Sequence, residues 1–540
     1  MSRKLILALA LMIAAPSLSR GAEEPVDLSA MTRIRDEGLH RSQVMDTLFH
    51  LTDVIGPRLT GSPQLKEANE WTRGQLESWG LANAHLEGYP FGRGWSFSAC
   101  EVRMVSPRQV PIYAVPRAWT PGTRGPVKGE ALRVTLDSEK DFAQYQGKLA
   151  GKVLLVDSAR ELKEPEDLQL QRYSREQLED LMEFEIPDED RDWRKTAIER
   201  WRFRRALDEF LVREEAAAVV EASTRLNGII RVTGGGSWEP AVSVGVPTLM
   251  IAAEPYNQIL RLLDDGKPVE LEVDVKARFH DDDLQAYDTV AEIPGTDKAD
   301  ELVMAGAHLD SWHAGTGATD NAAGSAVVME AARILKALGV KPRRTLRFVL
   351  WTGEEQGYLG SIAYARNHFA TRPENQDPGQ KDLPERYREE TWPLTLKPEH
   401  AKVAAYFNLD NGTGKVRGIW TEENAGVKPI FEAWLAPFAD LGATTVSSRA
   451  TGGTDHVTFD RLGLPGFQFI QDELDYETRT HHTHLDTYDH LKREDLMQAS
   501  VIMAAFLYDA AMRPEPLPRK ALPQERPKKE SKTDKKETAP

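Results

Sequence analysis

The chain has 540 residues, 28% charged and 41% hydrophobic, a globular composition with apolar material for two or more cores; disorder throughout and a small disulfide scaffold are excluded. Acidic residues outnumber basic ones 84 to 68, a formal net charge of −16, so capture of nucleic acid is not expected. The single cysteine, Cys100, can close no internal disulfide, and no Cys-x-x-Cys pair exists to hold a metal through sulfur. Any metal must therefore sit on His, Asp and Glu.

Met1 to Lys4 is basic, Leu5 to Ala15 apolar, and small residues follow at Ser17, Ser19, Gly21 and Ala22. This is the pattern of a secretory signal peptide over residues 1–22, so the mature protein is expected to be secreted or periplasmic. The run is shorter than the roughly 20 residues a spanning helix needs, no later stretch comes closer, and no cysteine follows it to carry lipid. No stable membrane anchor is expected. From Asp27 to Trp79 the periodicity is helical, interrupted by the loop GPRLTGS and closed by a glycine suited to a C-cap.

From about Gly122 to Lys276 the texture changes to short β-rich runs such as GEALRV, GKVLLVD and VSVGVPTLMIA. Within them, Arg160 to Glu215 is dense in charge and helix formers and reads as a helical insertion with a solvated face. After Asp283, strand and helix patterns alternate (ELVMAGAH, AAGSAVVMEAARILKALG, TLRFVLWTG, VAAYFNLD, LPGFQFI). Alternation of this kind predicts an α/β fold with a mixed, largely parallel sheet flanked by helices. Residues 513–540 are Pro- and Lys-rich and are expected to form a disordered tail.

The strand candidates of the last region end in metal-competent groups. ELVMAGA runs into His308-Leu309-Asp310, TLRFVLWTG into Glu354-Glu355, and VAAYFNL into Asp410, while the loop after His308 carries Asp320. Ligands of open α/β sheets bind outside the carboxyl ends of strands, so these groups are expected to converge. A fifth group lies in RTHHTHLDTYDH, with His481, His482, His484 and His490. Imidazole and carboxylate together suit zinc, and two nitrogen ligands with three carboxylates suffice for two ions if one carboxylate bridges. Singly, each has a plain structural reading, such as an N-cap for Asp320 or a turn residue for Asp410; jointly they read as one site.

The segments AGAHLDSWHAGTGATDNAAG, LWTGEEQGYLGS, NLDNGTG, GGTDHVTF and HHTHLDT resemble, in order, those of the secreted co-catalytic zinc exopeptidases that include the bacterial zinc aminopeptidases and carboxypeptidase Q. The resemblance implies a zinc aminopeptidase-like fold with peptidase segments at 23–121 and 277–512. It implies an inserted β-rich protease-associated domain at 122–276, elaborated by the helical stretch 160–215. It further implies two zinc ions, one on His308, Asp320 and Asp410 and one on Asp320, Glu355 and His482. Glu354 matches the general base, and Asp310 the carboxylate that orients His308. Aminopeptidases of the family commonly carry Tyr before the last ligand histidine, whereas this chain has His481, as carboxypeptidase Q has His-His. His481 is therefore a candidate oxyanion donor, the alternative being a structural or surface histidine. His313, His456 and His484 match no ligand position and are expected around the ligands or the substrate.

With cations to acidify a water, Glu354 takes the proton of the attacking water and later hands it to the leaving amine. Adjacent side chains of an extended segment point to opposite sides, so Glu354 and Glu355 are expected in separate roles. The expected substrate is a peptide cut at a chain end, and a homodimer is the assembly considered. A catalytically silent binding protein, a glutaminyl cyclase-like acyltransferase with one zinc, and a carbohydrate- or protein-binding module are the rival readings. Arg417, Arg449 and Lys415, for a substrate carboxylate, and Glu422 and Asp472, for an amine, are unranked candidates for terminus recognition.

Overall fold

A computed structural model describes residues 24–161, 170–185 and 193–525. The signal-peptide expectation, residues 1–22, lies outside them.

Two eight-stranded sheets organise the chain. The first runs, edge to edge, Ala82–Pro90, Gln285–Ile293, Arg344–Trp351, Lys298–His308, Val403–Asn408, Gly466–Gln471, Val416–Trp420 and Thr445–Ser447. Its four central strands, from Arg344–Trp351 to Gly466–Gln471, are parallel, and antiparallel pairs flank them. The sheet is thus mixed, as the alternating pattern predicts. Strand Lys298–His308 leads to one neighbour, Arg344–Trp351, while the later strand Val403–Asn408 takes the opposite side. The chain order therefore switches direction beside His308, and a crevice opens at such a switch.

Helices Ala323–Ala337 and Arg493–Met512 cover one face, with Leu28–His40 packed on them. Every residue from Ala323 to Leu335 is buried, because this helix lies between the sheet and other helices, and its Ala, Gly and Ser residues permit close approach. On the opposite face Trp351, Tyr364, Phe369, Tyr406 and Phe459 form a second core.

The expected N-terminal helices are present. Ser62 caps helix Pro63–Ser78 by accepting from the Leu65 amide, with Pro63 in its first turn. Beyond the helix, Gly80 takes φ +83° while Leu81 N donates to Leu76 O, the left-handed C-cap that glycine favours.

The second sheet runs Val110–Ile112, Gly94–Ser106, Glu270–His280, Val127–Arg133, Val153–Leu155, Ala218–Ala222, Thr248–Ile251 and Ala114–Pro116. It starts earlier than the change of texture at Gly122 suggests. Gly94–Ser106 pairs antiparallel with Glu270–His280 along its length, Gly94 opposite His280, so the chain enters and leaves this lobe through one ribbon. Within the lobe Val127–Arg133, Val153–Leu155, Ala218–Ala222 and Thr248–Ile251 are parallel, with helix Ala253–Asp264 packed on their core.

The charged stretch 160–215 contains helices Arg175–Met182 and Trp193–Arg213. The second buries Leu207, Phe210 and Leu211 against Leu149, Leu154 and Val219, and its far face does more than meet solvent, as shown below. The tail reading also needs correction for residues 513–525. Leu517 is buried, Arg519 donates to the carbonyls of His400 and Val403, and Lys520 pairs with Asp460. The segment is held by Leu517 in the main core and by its cations on carbonyls and on Asp460, not by a core of its own. Residues 526–540 lie outside the described part.

Candidate metal centre

His308 is the last residue of its strand and is 1% exposed. Its Nε2 lies 3.4 Å from Asp320 Oδ1 and 3.3 Å from Asp410 Oδ1. The other oxygen of Asp320 lies 3.2 Å from His482 Nε2, and Glu355 Oε2 lies 3.1 Å from that same nitrogen. Asp320 thus offers one oxygen to each imidazole. His308, Asp320 and Asp410 form one group able to hold a cation, and Asp320, His481 and His482 another. Both groups, with Glu354 and Glu355, meet at the carboxyl ends of the parallel strands.

Local backbone places each group. Gly317, at φ +61°, lets the chain pass Ser311 where a Cβ would come within 2.2 Å, and the turn that follows presents Asp320. Asp486 fixes that turn, accepting from Thr319 N (2.6 Å), Thr319 Oγ1 (2.8 Å) and Asp320 N (3.1 Å). Asn321 ties it to the Asp410 loop by donating to Leu409 O. Arg58, fully buried in the GPRLTGS loop, donates to the carbonyls of Leu51, Gly56, Leu309, Thr316 and Gly317. One guanidinium therefore pins both ends of the loop between His308 and Asp320.

Two expectations about roles need refinement. Asp310 orients His308 mainly through its backbone: His308 Nδ1 lies 2.9 Å from Asp310 O but 3.5 Å from the Asp310 carboxylate. That carboxylate accepts from Thr60 Oγ1 at 2.9 Å, and the amides of Glu354 and Glu355 approach it at 3.4 Å. Asp310 consequently couples the His308 strand to the Glu354-Glu355 turn. Nor is the Glu354-Glu355 segment extended. Gly357 N and Tyr358 N both donate to Glu354 O, so the chain turns there and both carboxylates line one cleft.

That cleft, of about 460 Å³, is walled by Asp320, Glu354, Glu355, Asp410, Tyr476, His481 and His482, and on its outer side by Ala197, Arg386, Tyr387 and Arg461. Ala197 belongs to helix Trp193–Arg213, and Arg194 of this helix donates to Tyr387 O at 2.6 Å. The charged insertion thus closes one wall of the site, a role its composition does not reveal.

Burial pushes the Glu354 carboxyl well above its ordinary range, against the attraction of His308. Burial also raises Glu355, opposed by His482. Asp320 is held well below the usual carboxylate range, because the His308 and His482 imidazoles beside it outweigh its burial. His482, despite burial, rises to about 10 beside Glu355 and Asp320. Three buried carboxylate oxygens of this cluster, Asp320 Oδ2, Glu355 Oε1 and Asp410 Oδ1, have no hydrogen-bond donor. Hard anionic oxygens left without donors beside two imidazoles suit divalent cations, and zinc in particular.

His481 stacks on Tyr476 with centroids 4.9 Å apart, and its Nδ1 lies 3.2 Å from Glu477. His313 bonds Pro116 O and packs edge-on against Trp95 and Phe97, so it is structural. His484 accepts from Ile230 N, His490 pairs with Asp475, and His456 bonds Thr451 O; none lines the cleft. The second lobe reaches the HHTH segment directly, with Arg231 Nη2 3.1 Å from His482 Nδ1 and Val232 N donating to His482 O. None of the five terminus candidates lines the cleft. Arg417 and Asp472 bond each other, Arg449 is engaged by Asp180, and Glu422 accepts from Thr451 N. Asp486, Trp312, Arg58 and Arg386 are functional neighbours that the motif reading missed. Asp486, Trp312 and Arg58 had a signal, their places inside HHTHLDT, AGAHLDSWHAGTGATDNAAG and GPRLTGS, whereas Arg386 lies outside every motif.

The fold and the donor set resemble those of metallopeptidases. Residues 288–507 match the family model of Peptidase family M28, so the resemblance read from the motifs holds at that level. The chain is 26% identical to carboxypeptidase Q of Bos taurus over 89% of its own length and 88% of that protein's. It is 27% identical to aminopeptidase YwaD of Bacillus subtilis over 40% of this chain and 43% of that one. A crystal structure of a peptidase M28 precursor from Shewanella amazonensis superposes with a TM-score of 0.64 and 25% identity, covering 92% of this chain and 99% of that one. The zinc aminopeptidase BSAP of Bacillus subtilis shares the fold, with a TM-score of 0.54 and 18% identity over 87% and 94% of the two chains. Among the described residues no helix is long and apolar enough to cross a membrane.

Proposed function

We propose that this peptidase is an exported di-zinc exopeptidase acting on short peptides at a chain end, with residues 94–280 as its protease-associated lobe. His308, Asp320 and Asp410 would hold one ion, and Asp320, Glu355 and His482 the other. The observation that carries this reading is the set of donor-less buried oxygens on Asp320, Glu355 and Asp410, with the two Asp320 oxygens facing different imidazoles. Bound zinc would supply Lewis acidity to the scissile carbonyl and acidify the nucleophilic water. Glu354, buried beside the donors and with a high proton affinity, takes the proton of the attacking water and returns it to the leaving amine. Asp310 holds the Glu354-Glu355 turn against the His308 strand. His481, which lies with Asp320 and His482 in one donor group, faces the tetrahedral oxyanion with its Nε2, while Nδ1 is turned to Glu477.

The test is metal content per chain together with the products from free and N-blocked dipeptides. Two zincs and hydrolysis are expected; one zinc or none without hydrolysis overturns the reading. Glu354→Gln should keep both zincs and lose activity by about 10²–10⁴-fold, the usual worth of a general base.

A further inference from the structure

The cleft is built largely of carboxylates and imidazoles, in a chain of net charge −16, yet its outer wall carries two guanidiniums. Arg386 and Arg461 both line it, and both also line an adjoining cavity of about 640 Å³. They stand where the two spaces meet. Their neighbours are neutralised: Arg366 pairs with Glu385, Arg372 with Glu390, and Arg194 with Glu389. Among the described residues neither the Arg386 nor the Arg461 guanidinium donates a hydrogen bond or forms an ion pair.

Their stems are nonetheless placed. The Arg386 side chain packs on Gly357, where a Cβ would come within 2.8 Å of its Cδ, and its guanidinium lies 4.6 Å from the Tyr387 ring centroid. Arg461 follows helix His456–Asp460, and its carbonyl accepts from Arg372. Two exposed planar donor groups without anions, beside a centre that acts on peptides, are suited to bind a carboxylate through paired hydrogen bonds.

We infer that Arg386 and Arg461 bind the free carboxylate on the leaving-group side of a short peptide and so make this site select peptides ending shortly after the scissile bond. This rests on the peptidase reading above. The carboxylate can come from the C-terminus or from an acidic side chain entering the adjoining cavity, and the geometry favours the C-terminus, because the two arginines stand in the same cleft as Glu354.

The probes are alanyl-leucine, alanyl-leucinamide and alanyl-glutamic acid α-amide, with the zinc-loaded full chain and its Arg386→Gln, Arg461→Gln and double variants. The wild type should prefer alanyl-leucine to its amide by about ten-fold or more in kcat/KM, the worth of one charge-assisted hydrogen bond. Each single variant should raise KM for the acid with little change in kcat, and the double variant should bring the preference close to unity at an unchanged Tm. Faster cleavage of the glutamyl amide than of the leucinamide, lost in the double variant, would assign the site to side-chain carboxylates as well; equal rates would restrict it to the C-terminus. An acid-to-amide ratio unchanged in the double variant overturns the inference. If the loaded wild type cleaves none of the three, the peptidase reading fails and calorimetric binding of alanyl-leucine decides the carboxylate site alone. About ten-fold weaker binding in the double variant would then support it, and equal binding would overturn it.

Discussion

Trp312 donates its indole N–H to Glu355 Oε2 at 2.6 Å. The same ring stands edge-on to His482 and to Trp119, with centroids 6.0 and 6.1 Å away, and Trp119 belongs to the aromatic cluster with Trp95 and Trp238. The second lobe is thereby packed against a candidate ligand. Partners of ligating groups typically contribute about 10–100-fold in metal affinity. Trp312→Phe keeps the ring and removes the donor, so zinc affinity, read by chelator titration, should fall about ten-fold while Tm stays close to wild type. Unaltered affinity would show that the indole only packs.

Asp486 should act on the same centre from the other side. It accepts both backbone and side-chain donors of Thr319 and the amide of Asp320. Asp486→Asn replaces an acceptor oxygen by a donor that faces these N–H and O–H groups, and the Asp320 turn should lose its register. Zinc content after dialysis and kcat/KM should drop together, by about ten-fold or more. A variant with full metal and full activity would refute the positioning role.

Arg58 is expected to be a stability residue before it is anything else. Its substitution by Met leaves five carbonyls without their donor in a site closed to water. The loss should be about 3 kcal/mol or more in urea unfolding. Arg58→Lys should recover only part of it, because one ammonium cannot reach all five acceptors.

Asp509 offers a pH test remote from the metal centre. Buried in helix Arg493–Met512 with Oδ2 unpartnered, it is pushed from 3.8 up to about 8 by desolvation, with Glu24 and Asp27 adding to the shift. The folded state holds this proton more tightly than the unfolded chain. The associated stability is therefore full below about pH 4, falls as pH rises, and is gone above about pH 8. Asp509→Asn should match the wild-type Tm near pH 4 and exceed it at pH 8.5. Parallel Tm curves for the two proteins would contradict the shift.

Much of the scaffold is legible in local pattern. Ser62-Pro63 and Gly80 mark a helix at both ends because caps are made within one turn of chain, and the apolar runs ending in His308, Glu354 and Asp410 read as strands because burial on both faces requires continuous hydrophobicity. The direction of the central strands follows from the helices between them. His308, Glu354, Glu355 and Asp410 could be proposed as donors for the same reason, since they sit at or just past strand ends, while Asp320 and His482 lie on turns further along the chain. The start of the second lobe at Gly94 was not, because its first strand pairs with residues near 280, and nothing local announces that register.

By itself, then, the sequence carried the resemblance to Peptidase family M28, the mixed α/β layer and the carboxylate-imidazole inventory, all of which are properties of short segments. Only the tertiary structure decided how that inventory is used. Asp486 meets Thr319 across 167 residues of chain, Trp312 reaches Glu355 through a turn that extended geometry would forbid, and Arg386 enters the cleft from a loop clamped by a helix of the insertion. Such contacts depend on where separate elements come to rest against one another, and each is fixed by packing and by burial of polar groups that must find partners, which no local periodicity records.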